Sequence, residues 1–128
     1  MASSGHDDRP KILVVDGNER NAKLLHRFLA EEGYEHTIVT DLDTFDEQLA
    51  EASQFALVVI DIDRFDRQVW KRCERLHDHK VPFIVLSSIR NRGLRRKSRE
   101  HGAQTYVTKP VSKAEFQPLI EKWVSPNT

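Results

Sequence analysis

Three stretches of this chain, KILVV (Lys11–Val15), FALVVI (Phe55–Ile60) and PFIVLS (Pro82–Ser87), are apolar at nearly every position instead of at every second one. A strand with one wet face alternates between apolar and polar residues. A strand that does not alternate must be covered on both faces, which is the condition of a parallel sheet between two layers of helices. Few other features of a sequence restrict its fold as much.

The segments between these runs carry helical spacing. NERNAKLLHRFLAEEG places Leu24, Leu25, Phe28 and Leu29 at intervals of a helix, and Gly33 supplies a stop. YEHTIVT reads as a second strand. DTFDEQLAEAS sets Phe45, Leu49 and Ala52 on one face, with Asp43 as the expected N-cap. RQVWKRCERLHDH spaces Val69, Cys73 and Leu76 for one helical face, beside Trp70. NRGLRRKSREHG is a fourth helix despite Gly93, and QTYVT a short fifth strand. In SKAEFQPLIEKWV, Ser112 and Glu115 form a capping-box pattern and Trp123 is expected to anchor the helix, while Pro118 predicts a kink or a break.

The result is βα repeated five times. Right-handed crossovers make such a chain an α/β, doubly wound, five-stranded parallel sheet flanked by five helices. One domain over residues 11–124 is expected, with short tails at 1–10 and 125–128; the length of 128 residues suits one core.

Composition narrows the partners. Net charge is zero, but residues 1–66 hold 15 acids against 6 Lys/Arg, and residues 67–128 hold 5 acids against 14 Lys/Arg. The acidic and basic halves make head-to-tail pairing into a homodimer conceivable, weakened by salt. The basic run Arg90, Arg92, Arg95, Arg96, Lys97 and Arg99 is a solvated face or a docking surface; without stacking aromatics beside it, nucleic acid is not the expected partner. Cys73 is the only cysteine, which excludes a disulfide within the chain and a cysteine-based zinc site. The histidines show no metal-binding spacing, and His77 and His79 are expected at the surface. The longest apolar run, about six residues, is too short to span a bilayer. No signal-peptide pattern opens the chain. A soluble cytoplasmic protein is expected.

In sheets of this kind the functional crevice lies at the carboxyl ends of the strands. There the first strand ends in Asp16, the third in Asp61 with Asp63 beyond it, the fourth in Ser87 and Ser88, and the fifth in Thr108, Lys109 and Pro110. Carboxylates at such a rim suit Mg²⁺. A lysine and a hydroxyl suit phosphoryl oxygens. Together they describe a carboxylate that is itself phosphorylated: Asp61 as nucleophile, with Lys109 and Ser87 holding the phosphoryl oxygens.

With these residues in place, the segments ILVVDGNERNAKLL, FALVVIDID, PFIVLSS and GAQTYVTKPV resemble the receiver domains of two-component response regulators, in order and spacing, over about residues 11–124. The resemblance implies a flavodoxin-like fold with strand order 2-1-3-4-5. It implies that Asp61 is the phosphoacceptor, Ser87 the switch hydroxyl and Tyr106 the switch aromatic, which swings inward on activation. Lys109 is the paired lysine, and Pro110 follows it, often through a cis bond. Mg²⁺ would be held by Asp16, Asp61 and the backbone carbonyl of Asp63. The implied partners are a sensor histidine kinase or phosphotransfer protein upstream, and a downstream protein read by the fourth helix, fifth strand and fifth helix. Such a domain is a signalling module and not an enzyme, beyond gaining and losing its own phosphoryl group.

Two departures stand out. Receivers usually carry two adjacent acids after the first strand; here Gly17 follows Asp16, removing a metal ligand. Asp63 (by its side chain) and Glu19 are the candidates to compensate. The loop DRFDRQVW also differs, with Phe65 and Val69 in place of the family's Pro and Gly. These features leave open a pseudo-receiver, a protein-binding module that is not productively phosphorylated. A third reading takes VVIDIDRF as the Asp-x-Asp motif of a haloacid-dehalogenase-type phosphatase. That family needs a downstream acid pair, but no aspartate follows Asp78, and Glu100, Glu115 and Glu121 are isolated.

Overall fold

The computed structural model describes residues 10–124. Residues 1–9 of the expected first tail and all of 125–128 lie outside the described residues. The elements, in order, are β1 (Lys11–Asp16), α1 (Glu19–Glu31), β2 (Glu35–Val39), α2 (Leu42–Leu49), a single 3₁₀ turn (Ala52–Gln54), β3 (Phe55–Asp61), α3 (Val69–Asp78), β4 (Phe83–Ser87), α4 (Arg92–Glu100), β5 (Thr105–Thr108) and α5 (Lys113–Glu121). The sheet is parallel throughout, in the order β2-β1-β3-β4-β5. This is the flavodoxin-like arrangement expected.

The absence of alternation in the central strands has its structural counterpart in two cores. Leu13, Val15, Val58, Ile60, Phe83 and Val85 face one side, where Phe45, Val69, Cys73 and Leu76 of α2 and α3 cover them. Ile12, Val14, Leu57, Val59, Ile84 and Leu86 face the other, under Phe28 and Leu29 of α1 and Phe116 and Ile120 of α5. Each fully buried side chain of this size contributes about 1.5–3 kcal/mol. Burial therefore pins the strands firmly enough that their polar ends come out in register. Cys73 belongs to this packing: it is buried, and its thiol is pushed up to about 12, chiefly by desolvation, so it is chemically quiet.

Local chemistry sets the helix ends. Asn18 caps α1, accepting from Asn21 N at 3.1 Å. Gly33 ends α1 at a positive φ of 81°, as a stop signal requires. Ser112 and Glu115 form the expected capping box on α5. Four expectations need correction. Asp41, not Asp43, caps α2, because its carboxylate reaches Thr44 N at 2.7 Å. Ala52 packs from the 3₁₀ turn and not from α2, which stops at Leu49. Leu24 is exposed, since the inward stripe of α1 runs through Ala22, Phe28 and Leu29. Pro118 does not break α5, whose single helix runs on past it with Phe116 and Ile120 seated in the core on either side. Trp123 packs partly against the same core.

Part of the charge asymmetry is met inside the molecule. Arg72 of α3 grips Asp46 of α2 with two hydrogen bonds, at 2.9 and 2.8 Å. The arginines and lysine of the α4 run remain exposed. His77 and His79 are exposed, as expected, while His26 and His36 meet ring to ring at 2.7 Å, a pairing that their sequence spacing did not suggest. No helix among the described residues is long and apolar enough to cross a membrane.

Candidate functional site

Register builds the site. Asp16 stands opposite Asp61 across β1 and β3, and Ser87 opposite Thr108 across β4 and β5. Lys109 follows directly, its backbone N donating to Ser87 O at 2.8 Å. Four of the five strands thus deliver residues separated by nearly a hundred positions to one rim. The Lys109–Pro110 bond is cis, as the resemblance suggested.

Lys109 Nζ donates to Asp61 Oδ2 at 2.5 Å and lies 2.9 Å from Asp63 Oδ2. Burial disfavours the ammonium, but hydrogen bonds to Asp61 and Asp63 outweigh it and raise the lysine's pKa. Lys109 is therefore held charged. Asp61 is almost fully buried, and its Oδ1 accepts from Asp63 N at 3.0 Å, which folds the loop after β3 back over the strand end.

Asp63 turns its side chain toward β4 and β5. Oδ1 accepts from Ser87 Oγ at 2.6 Å, and Oδ2 from Ser88 N at 2.9 Å. Burial alone would raise this carboxyl, but the bonds from Ser87, Lys109 and Ser88 carry it down to about 2. In this arrangement the Asp63 side chain is committed to those donors rather than aimed at Asp16.

Asp16 is in the opposite condition. It is 1% exposed; Asn18 N donates to Oδ1 at 2.9 Å, and Oδ2 is buried with no hydrogen-bond partner. Desolvation, with help from the nearby Asp61 charge and against the Asn18 bond, pushes it up from 3.8 to about 6. A buried, unpartnered carboxylate oxygen beside a second carboxylate is a place where a cation would relieve the cost. Mg²⁺ uses one or two carboxylates with water and phosphate oxygens, so Asp16 and Asp61 fit as a minimal set. Among the described residues no group of three or more His, Cys, Asp or Glu is placed to hold a metal. Glu19, the other candidate, is exposed at the start of α1.

Gly17 has a local cause. A Cβ there would lie 2.6 Å from Arg64 Cβ and 3.5 Å from the Phe65 ring. The divergent loop after β3 rests where a second acid would stand, so the two departures seen in the sequence are one structural feature. Sequence reasoning did not find Arg64, because nothing in its identity says that its Cβ packs on residue 17.

Tyr106 is turned inward, 6% exposed, and its hydroxyl donates to Ile89 O. Arg95 lies over the ring at 5.1 Å. The Ile89 carbonyl was also missed; a backbone acceptor leaves no mark on a sequence. The Ser88 amide is similar, although the paired serines at the strand end were a partial signal.

The family model for the response regulator receiver domain matches residues 12–121. Among solved structures, a two-component response regulator from Clostridium difficile superposes with a TM-score of 0.80 at 19% identity, covering 89% of this chain and 94% of that one. A CheY-like receiver domain protein from Methanospirillum hungatei gives 0.76 at 24%, covering 89% and 92%. The receiver domain of a sensor histidine kinase from Pseudomonas aeruginosa, solved with magnesium in its active-site cleft, gives 0.73 at 23%, covering 90% and 97%. No curated protein matches. The receiver family replaces the haloacid-dehalogenase reading. With this strand order, and with Asp61 and Lys109 joined at the rim, the chain belongs to the response regulator receiver domain family.

Proposed function

We propose that the protein is a phosphoacceptor module of a two-component or phosphorelay system, working in the cytoplasm. An Asp61 oxygen attacks the phosphorus of a phosphohistidine on a sensor kinase or phosphotransfer protein. The P–O bond to Asp61 forms as the P–N bond breaks, and the departing imidazole takes up a proton. The observation that carries this reading is the 2.5 Å contact between Lys109 Nζ and Asp61 Oδ2. It puts a fixed positive charge where phosphoryl oxygens would accumulate negative charge. Asp16 and Asp61 would hold Mg²⁺, which supplies charge neutralisation at the same place; the relative from Pseudomonas aeruginosa carries magnesium in its cleft. The chemistry of the module ends with gain and loss of this one group.

Output runs through α4, β5 and α5. Tyr106 bonds to Ile89 O, so the aromatic ring is tied to the loop that leads into α4. The exposed basic residues of α4 suit an acidic partner protein, or the acidic α2 of a second copy in a salt-sensitive dimer.

A second reading, a pseudo-receiver that binds partners without being phosphorylated, is favoured by one observation: Arg64 packs over Gly17, where a second metal-binding acid would stand. Intact mass separates the two. Incubation with acetyl phosphate and Mg²⁺ adds one phosphoryl group to the phosphoacceptor, and Asp61→Asn abolishes the gain. No gain in the wild-type protein supports the pseudo-receiver.

A further inference from the structure

A phosphoryl group on Asp61 needs donors for its oxygens, and the donors the rim offers are already engaged. Ser87 Oγ, Ser88 N and Lys109 Nζ converge on the Asp63 carboxylate at 2.6, 2.9 and 2.9 Å. A hydroxyl, a backbone amide and an ammonium make an oxyanion site, and they do not distinguish a carboxylate from a phosphoryl group by charge or hydrogen-bonding type. The carboxylate arrives there because Asp63 N is bonded to Asp61 Oδ1, so the loop curls back toward β4.

The contacts continue beyond the anion. Ser87 Oγ, while donating to Asp63, accepts from Ile89 N at 3.1 Å, and Ile89 O accepts from the Tyr106 hydroxyl. Asp63, Ser87, Ile89 and Tyr106 are therefore connected from the rim to the inward aromatic ring by three hydrogen bonds joined through the Ile89 backbone. Removing the anion at one end frees the Ser87 hydroxyl to rotate, and with it the Ile89 backbone that holds the Tyr106 hydroxyl.

We infer that Asp63 is a resident surrogate for the phosphoryl group. It holds Ser87, Ser88 and Lys109 as a phosphoryl group on Asp61 would hold them. It thereby keeps Tyr106 inward in the unphosphorylated protein, and phosphorylation of Asp61 must first displace it. Only this last consequence rests on the phosphoacceptor reading; the coupling of Asp63 to Tyr106 does not.

The test uses the full chain, as wild type, Asp63→Ala and Asp63→Asn. Asp63→Asn is nearly isosteric and keeps the fold readable if Asp63→Ala loses it. The readouts are the amide resonances of Ser88 and Ile89 and the ring resonances of Tyr106, with no phosphoryl donor present. Both variants are expected to shift all three relative to wild type, Asp63→Ala more. Beryllofluoride with Mg²⁺ is expected to return the Asp63→Ala spectrum toward that of the untreated wild type. Labelling of Asp61 by acetyl phosphate is expected to be severalfold faster in Asp63→Ala. Unchanged Tyr106 and Ile89 resonances in both variants overturn the surrogate, even if labelling accelerates, and the phosphoacceptor reading then stands alone. Shifted resonances with no labelling in any variant uphold the surrogate and overturn the phosphoacceptor reading.

Discussion

Asp63 and Asp16 sit on opposite sides of the same rim under opposite conditions. Asp63, on the β4–β5 side, collects a hydroxyl, an amide and an ammonium, and its carboxyl is carried down to about 2. Asp16, on the β1 side, has one backbone donor and a buried oxygen with none, and its carboxyl is pushed up to about 6. Gly17 adds no side chain beside it. One anion is held by the fold; the other is tolerated at a cost. The contrast teaches where each charge comes from. Donors are plentiful where two strand ends and a lysine converge. They are scarce where a short turn leads straight into α1 and a neighbouring loop closes the space. Local rules broken without compensation tend to mark the working part of a site.

The largest expected effect comes from removing the cation that the better-satisfied side depends on. Lys109→Ala leaves Asp61 and Asp63 facing each other without a counter-charge, and should lower stability by about 2–3 kcal/mol in urea unfolding at neutral pH. An unchanged midpoint would mean that water can do the work of the ammonium, and the contrast between the two sides would weaken.

The β1 side is probed by Gly17→Ala. Its Cβ would meet Arg64 Cβ at 2.6 Å, so the loop must move, at a cost of about 1–3 kcal/mol. Arg64→Gly removes the obstructing atom and should recover much of that loss. A double-mutant cycle measures the coupling, and strict additivity would break the link between the two positions.

Asp16→Asn should stabilise. Because the folded carboxyl titrates near 6 and the ordinary one near 3.8, the folded state holds its proton more tightly. The stability cost of Asp16 is then fully present above about pH 6 and fades as pH falls toward 4. The variant is expected to gain about 1–2 kcal/mol at pH 7.5, less than the full shift implies because the amide that replaces the carboxylate is itself a buried polar group. The gain should shrink when the unfolding midpoint is remeasured near pH 4. A gain equal at both pH values would show that charge is not its origin.

Ser87→Ala removes one of three donors to Asp63 and should cost about 1 kcal/mol. A much larger loss would mean that the series through Ile89 to Tyr106 contributes to stability as well as to coupling.

Much of this was legible in the residue order. Non-alternating apolar runs ending in Asp16, Asp61 and Ser87 located both the sheet and its rim, because burial on two faces leaves strand ends as the one place for polar groups. Lys109 followed from the same logic. The rest depended on side-chain direction and loop path. Either Asp41 or Asp43 could cap α2 by type; only the backbone entering the helix chose between them. Leu24 and Ala22 both fit helical spacing, and the tilt of α1 on the sheet decided which faced inward. Asp63 could have turned toward Asp16 or toward Ser87, a choice of rotamer that no spacing records.

The contact between residue 17 and Arg64 also bears on redesign. A single substitution that places an acid at residue 17 meets a backbone-proximal atom that cannot rotate away, so it costs folding stability before it can improve cation binding. Every residue except glycine carries that atom at position 64, so the obstacle is the path of the loop rather than the identity of the arginine. A second carboxylate beside Asp16 therefore calls for a rebuilt loop, whereas changes at Asp63 act within the loop as it stands.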